Sequence, residues 1–228
     1  MSQTSGSREA QRRSTHRALL DASLSLLEER SLGALGLREV TRAAGVSPTA
    51  FYRHFGSIEE LGIALVEEAL ESLHSAVRSI LATSGDSGDS DDSGDVGVRI
   101  DAAVELMSEL VRRYPAHLRF IVRERYGGVR RVREVIARQL DAFASEVAES
   151  FRHDMPATGW SPDDVQMLAR LYVDHMVMTA SAYLSASLEA NEWAAVTRTA
   201  RSQLWLIHAG RVNWPAVQRD SAPRIVVP

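Results

Sequence analysis

Between Leu37 and Glu60 the chain carries two apolar-periodic segments, each too short to hold a helix alone, separated by Gly45, Val46 and Ser47. Isolated helices below about 12 residues are marginal in water, so both segments need a third element to pack against. In the first, Leu37, Val40 and Ala44 mark barely two turns before Gly45. In the second, Ser47 is placed to cap and Pro48 fits the first turn, where its missing N–H costs nothing. Phe51 and Phe55 then share one face at i, i+4, and Gly56 ends the segment.

The third element precedes them. Residues 14 to 30 carry Leu19, Ala22, Leu26 and Leu27 at amphipathic spacing, behind arginines at 8, 12, 13 and 17, and Gly33 and Gly36 punctuate the connection. Two short helices joined by a tight turn and backed by a longer one are the sequence form of a helix-turn-helix. Val46, Phe51 and Phe55 are expected to face inward, each burial contributing roughly 1.5 to 3 kcal/mol. That leaves Thr49, Ala50, Tyr52, Arg53 and His54 outside. A guanidinium there suits guanine edges or phosphate, a tyrosine suits a thymine methyl or phosphate, and small residues permit close approach to a groove.

Beyond Gly56 the pattern stays helical. Ser57 and Glu60 form the S-x-x-E signature of a capping box ahead of Leu61, Leu65, Leu70, Leu73, Val77 and Leu81. Residues 84 to 95 are serine, glycine and aspartate alone, which cannot bury apolar surface and predict a flexible loop. Helical periodicity resumes at about 97–113, 115–126, 129–153, 162–189 and 192–212, with no strand pattern. The expected fold is all-α, about nine helices: an N-terminal arm and helix-turn-helix domain over 1–56, and a helical regulatory and dimerisation domain over 57–228. Leu168 to Leu188 is apolar on more than one face, so the last two long helices are expected to meet a second copy in a homodimer.

Composition narrows the function. The net charge is −4, yet residues 1–56 hold eight arginines against five carboxylates, a basic head on an acidic body. There is no cysteine and every basic residue is arginine, which excludes disulfides, thiolate chemistry, Schiff-base lysines and a P-loop lysine. No apolar run approaches the roughly 20 residues of a membrane span, and the N-terminus lacks a signal-peptide core, so a cytoplasmic protein is expected. Asp89, Asp91, Ser93 and Gly94 mimic the start of a calcium loop, but Ile100 stands where its bidentate glutamate belongs, so no metal site is expected. No catalytic residues are expected either. Asp174 and His175 are adjacent on a helix and point apart, and neither His117 nor the His153–Asp154 pair has a motif around it.

The run LREVTRAAGVSPTAFYRHFGSIEELGIALVEE, residues 37–68, resembles the TetR family of bacterial one-component transcription regulators. The resemblance implies a repressor that binds a palindromic double-stranded DNA operator as a homodimer and answers to a small molecule, with no cofactor. It assigns Arg38 to a second-helix contact, and Pro48, Thr49, Ala50, Tyr52, Arg53 and His54 to recognition-helix contacts, with Thr41 and Arg42 as lesser candidates. Where the family commonly places a phosphate-binding lysine, Ser57, Ile58 and Glu59 stand here, leaving Ser57 and the free N–H groups of that helix for the role. Arg12, Arg13 and Arg17, with Arg8, are placed to compensate by reaching a neighbouring groove.

The segments 118–140 and 203–214 further resemble the FabR and DesT type of repressor, which senses acyl-CoA and governs fatty-acid genes. The resemblance implies an acyl-CoA or fatty-acid effector, and a leucine- and methionine-rich helical domain can open an apolar tunnel for one. The wall candidates are Met107, Leu110, Phe120, Phe143, Val147, Leu168, Tyr172, His175, Met176, Thr179 and Tyr183. Arg123, with Arg119 and Arg125, is placed to meet a thioester or phosphates. A TetR-type sensor of a lipophilic drug, controlling efflux or catabolic genes, is the competing expectation.

Overall fold

The computed structural model describes residues 3–84, 93–154, 160–186 and 190–221, with side chains over 7–71, 96–152, 160–186 and 191–214. Among them the chain is all-helical: α1 (Gln3–Leu26), a single 3-10 turn (Leu32–Ala34), α2 (Leu37–Ala43), α3 (Pro48–Phe51), α4 (Ile58–Ser84), α5 (Ser93–Arg113), α6 (Pro115–Glu124), α7 (Arg130–Asp154), α8 (Pro162–Ser185) and α9 (Ala190–Ser221). The expected class and the nine helices are what is observed, while several boundaries move. The stretch bearing the early arginines, expected as an arm, is helical from Gln3, and α9 runs to Ser221 rather than 212. The expected 84–95 loop falls mostly on residues outside the described ones. Its two ends are helical, because Ser84 closes α4 and Ser93, Gly94 and Asp95 open α5, where serine and aspartate suit a first turn.

The chain forms two compact units, Met1–Ser75 with Arg112–Gln139, and Ala76–Val111 with Leu140–Pro228. The expected division at residues 56 and 57 lies inside the first of these. The reason is packing: Leu61, Leu65 and Val66 of α4, Phe120 and Ile121 of α6, and Val132 and Ile136 of α7 are buried in the same unit as Leu19, Leu32 and Phe51.

In the first unit, α1 buries Leu19, Leu20 and Leu24, with Leu27 buried just past its end, while Ala22 and Leu26, expected on the same face, are half-buried. Ser23 lies within that face, and its hydroxyl donates to the Leu19 carbonyl at 2.7 Å, satisfying it inside the core. Leu32 is inserted against α4 at Gly62, where a Cβ would collide with the leucine's methyl groups. Glycine at position 62 is therefore what allows the α1–α2 connection to approach α4.

The second unit is built on two apolar clusters. Val96, Ile100 and Val104 of α5 pack with Ala200 and Leu204 of α9. Ala144, Val147 and Ala148 of α7 pack with Val165, Leu168, Ala169 and Val173 of α8, and Tyr172 and Ile207 border both clusters. Directional bonds then fix the register. Trp193 donates from Nε1 to Ser108 at 3.0 Å, Arg201 pairs with Asp101 at 2.5 Å, and Ser161 and Asp164 form a capping box at the start of α8.

Gly62→Ala is expected to overpack the contact with Leu32 and lower the unfolding free energy by roughly 1 to 3 kcal/mol, read from urea midpoints at unchanged m.

Candidate nucleic-acid interface

The surface around α3 is assembled by local rules visible in the chain. Gly45 adopts φ +66°, the left-handed region that side chains avoid, and so turns the chain sharply after α2. The Val46 amide donates to the Thr41 carbonyl at 2.9 Å and closes that turn. Ser47 Oγ accepts from the Ala50 amide at 3.2 Å, with Pro48 at the first helical position. The regular helix is shorter than the two turns expected. After Phe51 the bonds tighten to i→i+3, Arg53 to Ala50 at 3.2 Å and His54 to Phe51 at 2.8 Å, so Tyr52, Arg53 and His54 occupy a closing turn rather than a second helical turn.

Burial departs from the expected partition at Val46, Ala50 and His54, all half-buried. Phe51 is fully buried and Phe55 nearly so, with ring centroids 5.7 Å apart, while Val46 is only half-buried. Pro48, Thr49, Arg53 and Arg38 are exposed, Ala50 is half-buried, and Tyr52 shows 61% of its surface despite being next to Phe51. Thr41 behaves differently from the lesser candidate it was: it is buried, and its hydroxyl donates to the Arg38 carbonyl at 3.2 Å. Arg42 is exposed.

α1 adds to this surface. His16 stacks on Phe55 with centroids 4.8 Å apart and stands 5.7 Å from His54. Sequence reasoning missed His16. The available signal was its place one helical turn beyond Arg12 and Arg13, on the side of α1 that meets the recognition turn. Arg12 and Arg13 are exposed, the latter beside Glu9 at 3.5 Å. Arg17 is differently employed: it pairs with Asp21 at 3.0 Å and with Glu68 of α4. At the start of α4, Ser57 Oγ accepts from the Glu60 amide at 3.1 Å, and Glu60 reaches back to the Gly56 amide at 2.7 Å rather than to Ser57 itself. Glu59 pairs with Arg131 at 2.7 Å.

The groups expected to line an effector site fall in both units. Phe143, Val147, Leu168 and Tyr172 are brought together at the α7–α8 cluster. His175, Thr179 and Tyr183 are buried farther along α8 and Met176 is half-buried. His175 Nε2 lies 3.0 Å from Gln203 Oε1, and the Tyr183 hydroxyl 2.8 Å from Thr197. Met107 and Leu110 are buried on α5. Phe120 and Arg123 belong to the other unit, where Phe120 is core and Arg123 donates to the carbonyls of Leu27, Glu28 and Arg30. Among the described residues no cluster of metal-ligating side chains is present.

Residues 19–65 match the family described as bacterial regulatory proteins, tetR family. Solved structures share the fold over most of the chain. The fatty acid degradation regulator FadR from Bacillus halodurans aligns with a TM-score of 0.63 at 14% identity, covering 83% of this chain and 94% of that one. AibR, solved with isovaleryl coenzyme A and operator DNA, gives 0.58 at 16%, covering 83% and 97%. FadR from Bacillus subtilis, solved with stearoyl-CoA, gives 0.60 at 12%, covering 82% and 96%.

Burial depresses the pKa of His54, with His16, Arg12 and Arg53 adding cationic repulsion, and burial depresses His117 and His175 as well. The unfolded chain then binds more protons than the native one as pH falls below about 6.5, so stability is full above that value and declines on acidification. Denaturant midpoints are expected to fall between pH ~7.5 and ~5.5, and to fall less in His54→Gln; a flat profile would refute the assignment.

Residues 19–65 are thus similar to the tetR family of bacterial regulatory proteins, and the helices around them share a fold with solved structures that include FadR and AibR.

Proposed function

We propose that the chain is a homodimeric repressor whose two α3 surfaces enter successive major grooves of a near-palindromic operator, and whose effector is a long-chain acyl-CoA or fatty acid. Its targets are then genes of lipid metabolism, and it acts in the cytoplasm; no helix among the described residues is long and apolar enough to cross a membrane. The observation that carries the DNA reading is the contrast between fully buried Phe51 and its neighbours Tyr52 and Arg53, held out in solvent on a capped turn. An exposed aromatic beside an exposed guanidinium suits base edges and phosphate. Arg38, Pro48, Thr49, Ala50, His54 and Ser57 complete this surface, with Arg12, Arg13 and His16 flanking it from α1.

The dimer reading is supported by α8, which keeps Met167, Leu171 and Met178 exposed at i, i+4 and i+11, one stripe within about a ninth of a turn. Leu206 and Val212 are exposed on α9. Apolar side chains aligned this way suit an isologous contact with a second copy. The effector reading is supported by the α7–α8 cluster with polar His175, Thr179 and Tyr183 beside it, and by two chains of this fold that bind acyl-CoA. Met107, Leu110, Phe143, Val147, Leu168, Tyr172 and Met176 supply the apolar wall. A DNA-retention assay on lipid-depleted protein, challenged in turn with acyl-CoAs and with lipophilic antibiotics, separates this effector from a drug.

Arg53→Ala and Tyr52→Ala are each expected to weaken operator binding by about 1 to 3 kcal/mol while unfolding midpoints stay within error, measured by fluorescence anisotropy. Leu171→Asp is expected to sediment as a monomer with its helical circular dichroism retained, since a desolvated carboxylate at a symmetric contact is uncompensated in both copies.

A further inference from the structure

The connection between α1 and α2 is gripped by two consecutive residues at the end of α6. Arg123 donates to the carbonyls of Leu27 at 2.8 Å, Arg30 at 2.6 Å and Glu28 at 3.0 Å, all in the turn that follows α1. Glu124 accepts the Leu32 amide at 2.9 Å through Oε1. Its side chain is only 1% exposed, and Oε2 is buried with no hydrogen-bond partner among the described residues. Holding a carboxylate at that depth for one backbone bond is poor economy for stability, because an apolar group of similar shape usually serves as well or better. What the carboxylate adds is direction: it accepts one particular amide and sets where Leu32 lies.

The gripped segment hands its position on. Arg30 pairs with Glu39 of α2 at 2.8 Å, and the other Glu39 oxygen accepts the Gly36 amide at 3.2 Å. α2 in turn fixes the start of α3 through the Val46 amide on the Thr41 carbonyl. An unbroken line of directional contacts thus joins the end of α6 to the reading surface without passing through Tyr52, Arg53 or His54. These ties span more than 90 residues of sequence.

We infer that Arg123 and Glu124 are positioning residues for DNA recognition: they hold the α1–α2 connection, and through it α2 and α3, at the attitude in which the reading surface meets a duplex. The inference rests on the DNA-binding role proposed above. A displacement of the end of α6 is then felt at α3 although α6 itself does not touch DNA.

The test uses the full chain, duplexes tiling the DNA upstream of its own gene, and three variants: Arg123→Met, which keeps length but removes the donors, Arg123→Lys, which restores a cation, and Glu124→Gln. Arg123→Met and Glu124→Gln are expected to keep the wild-type helical content, to exchange the amides of 27–32 faster, and to lose roughly 5- to 150-fold in affinity. Their dependence of log affinity on log salt should also be shallower, because a misdirected head makes fewer phosphate contacts. Arg123→Lys is expected to recover part of both. A purely structural role would lower the active fraction and leave the salt slope of the active protein unchanged, which would overturn the inference, as would wild-type affinity alongside faster exchange, or unchanged exchange. Failure of the unmodified chain to hold any duplex would defeat the DNA reading itself, a different result from intact binding by Arg123→Met.

Discussion

The exposed surface around α3 depends on the burial of Phe51 and Phe55. α3 is a single turn, too short to exist by its own hydrogen bonds, and it persists because these two rings are buried in the same unit as Leu19, Leu20 and Val40. Once Phe51 is inside, the helical rotation of about 100° per residue puts Tyr52 and Arg53 outside. His16 closes the arrangement from the other side by stacking on Phe55. Exposure of the polar residues is therefore a consequence of apolar packing, not an independent feature.

The same logic extends to the edges of the head. Gly62 lets Leu32 lie against α4, and the buried Leu32 in turn presents its amide to Glu124. Arg17, which a reading of charge alone would send to phosphate, is committed to Asp21 and Glu68 within the protein, and Arg131 to Glu59. The exposed basic surface that remains is narrower than the basic composition of residues 1–56 suggests. It is concentrated on α3, Arg38 and the first turns of α1, where the exposed guanidinium groups stand.

In the second unit the side chains serve two ends. The α7–α8 cluster is a continuous apolar contact, while His175, Thr179 and Tyr183 bring polar atoms to the interior of α8, two of them tied to α9 through Gln203 and Thr197. A buried imidazole whose Nδ1 has no partner among the described residues is costly in a plain core.

The sequence by itself determined the helical class, the turn at Gly45, the cap at Ser47 and the inward placement of the two phenylalanines, because each follows from side-chain spacing and glycine or proline chemistry within a few residues. It also placed Tyr52 and Arg53 outside. Only the tertiary structure decided which arginines are spent on partners, that Thr41 is buried, that α1 lends His16 to the surface, and that Arg123, expected beside an effector, grips the α1–α2 connection together with Glu124. Those outcomes join residues about 40 to nearly 100 positions apart. Contacts at such separation depend on how whole helices pack, and local periodicity carries no record of them.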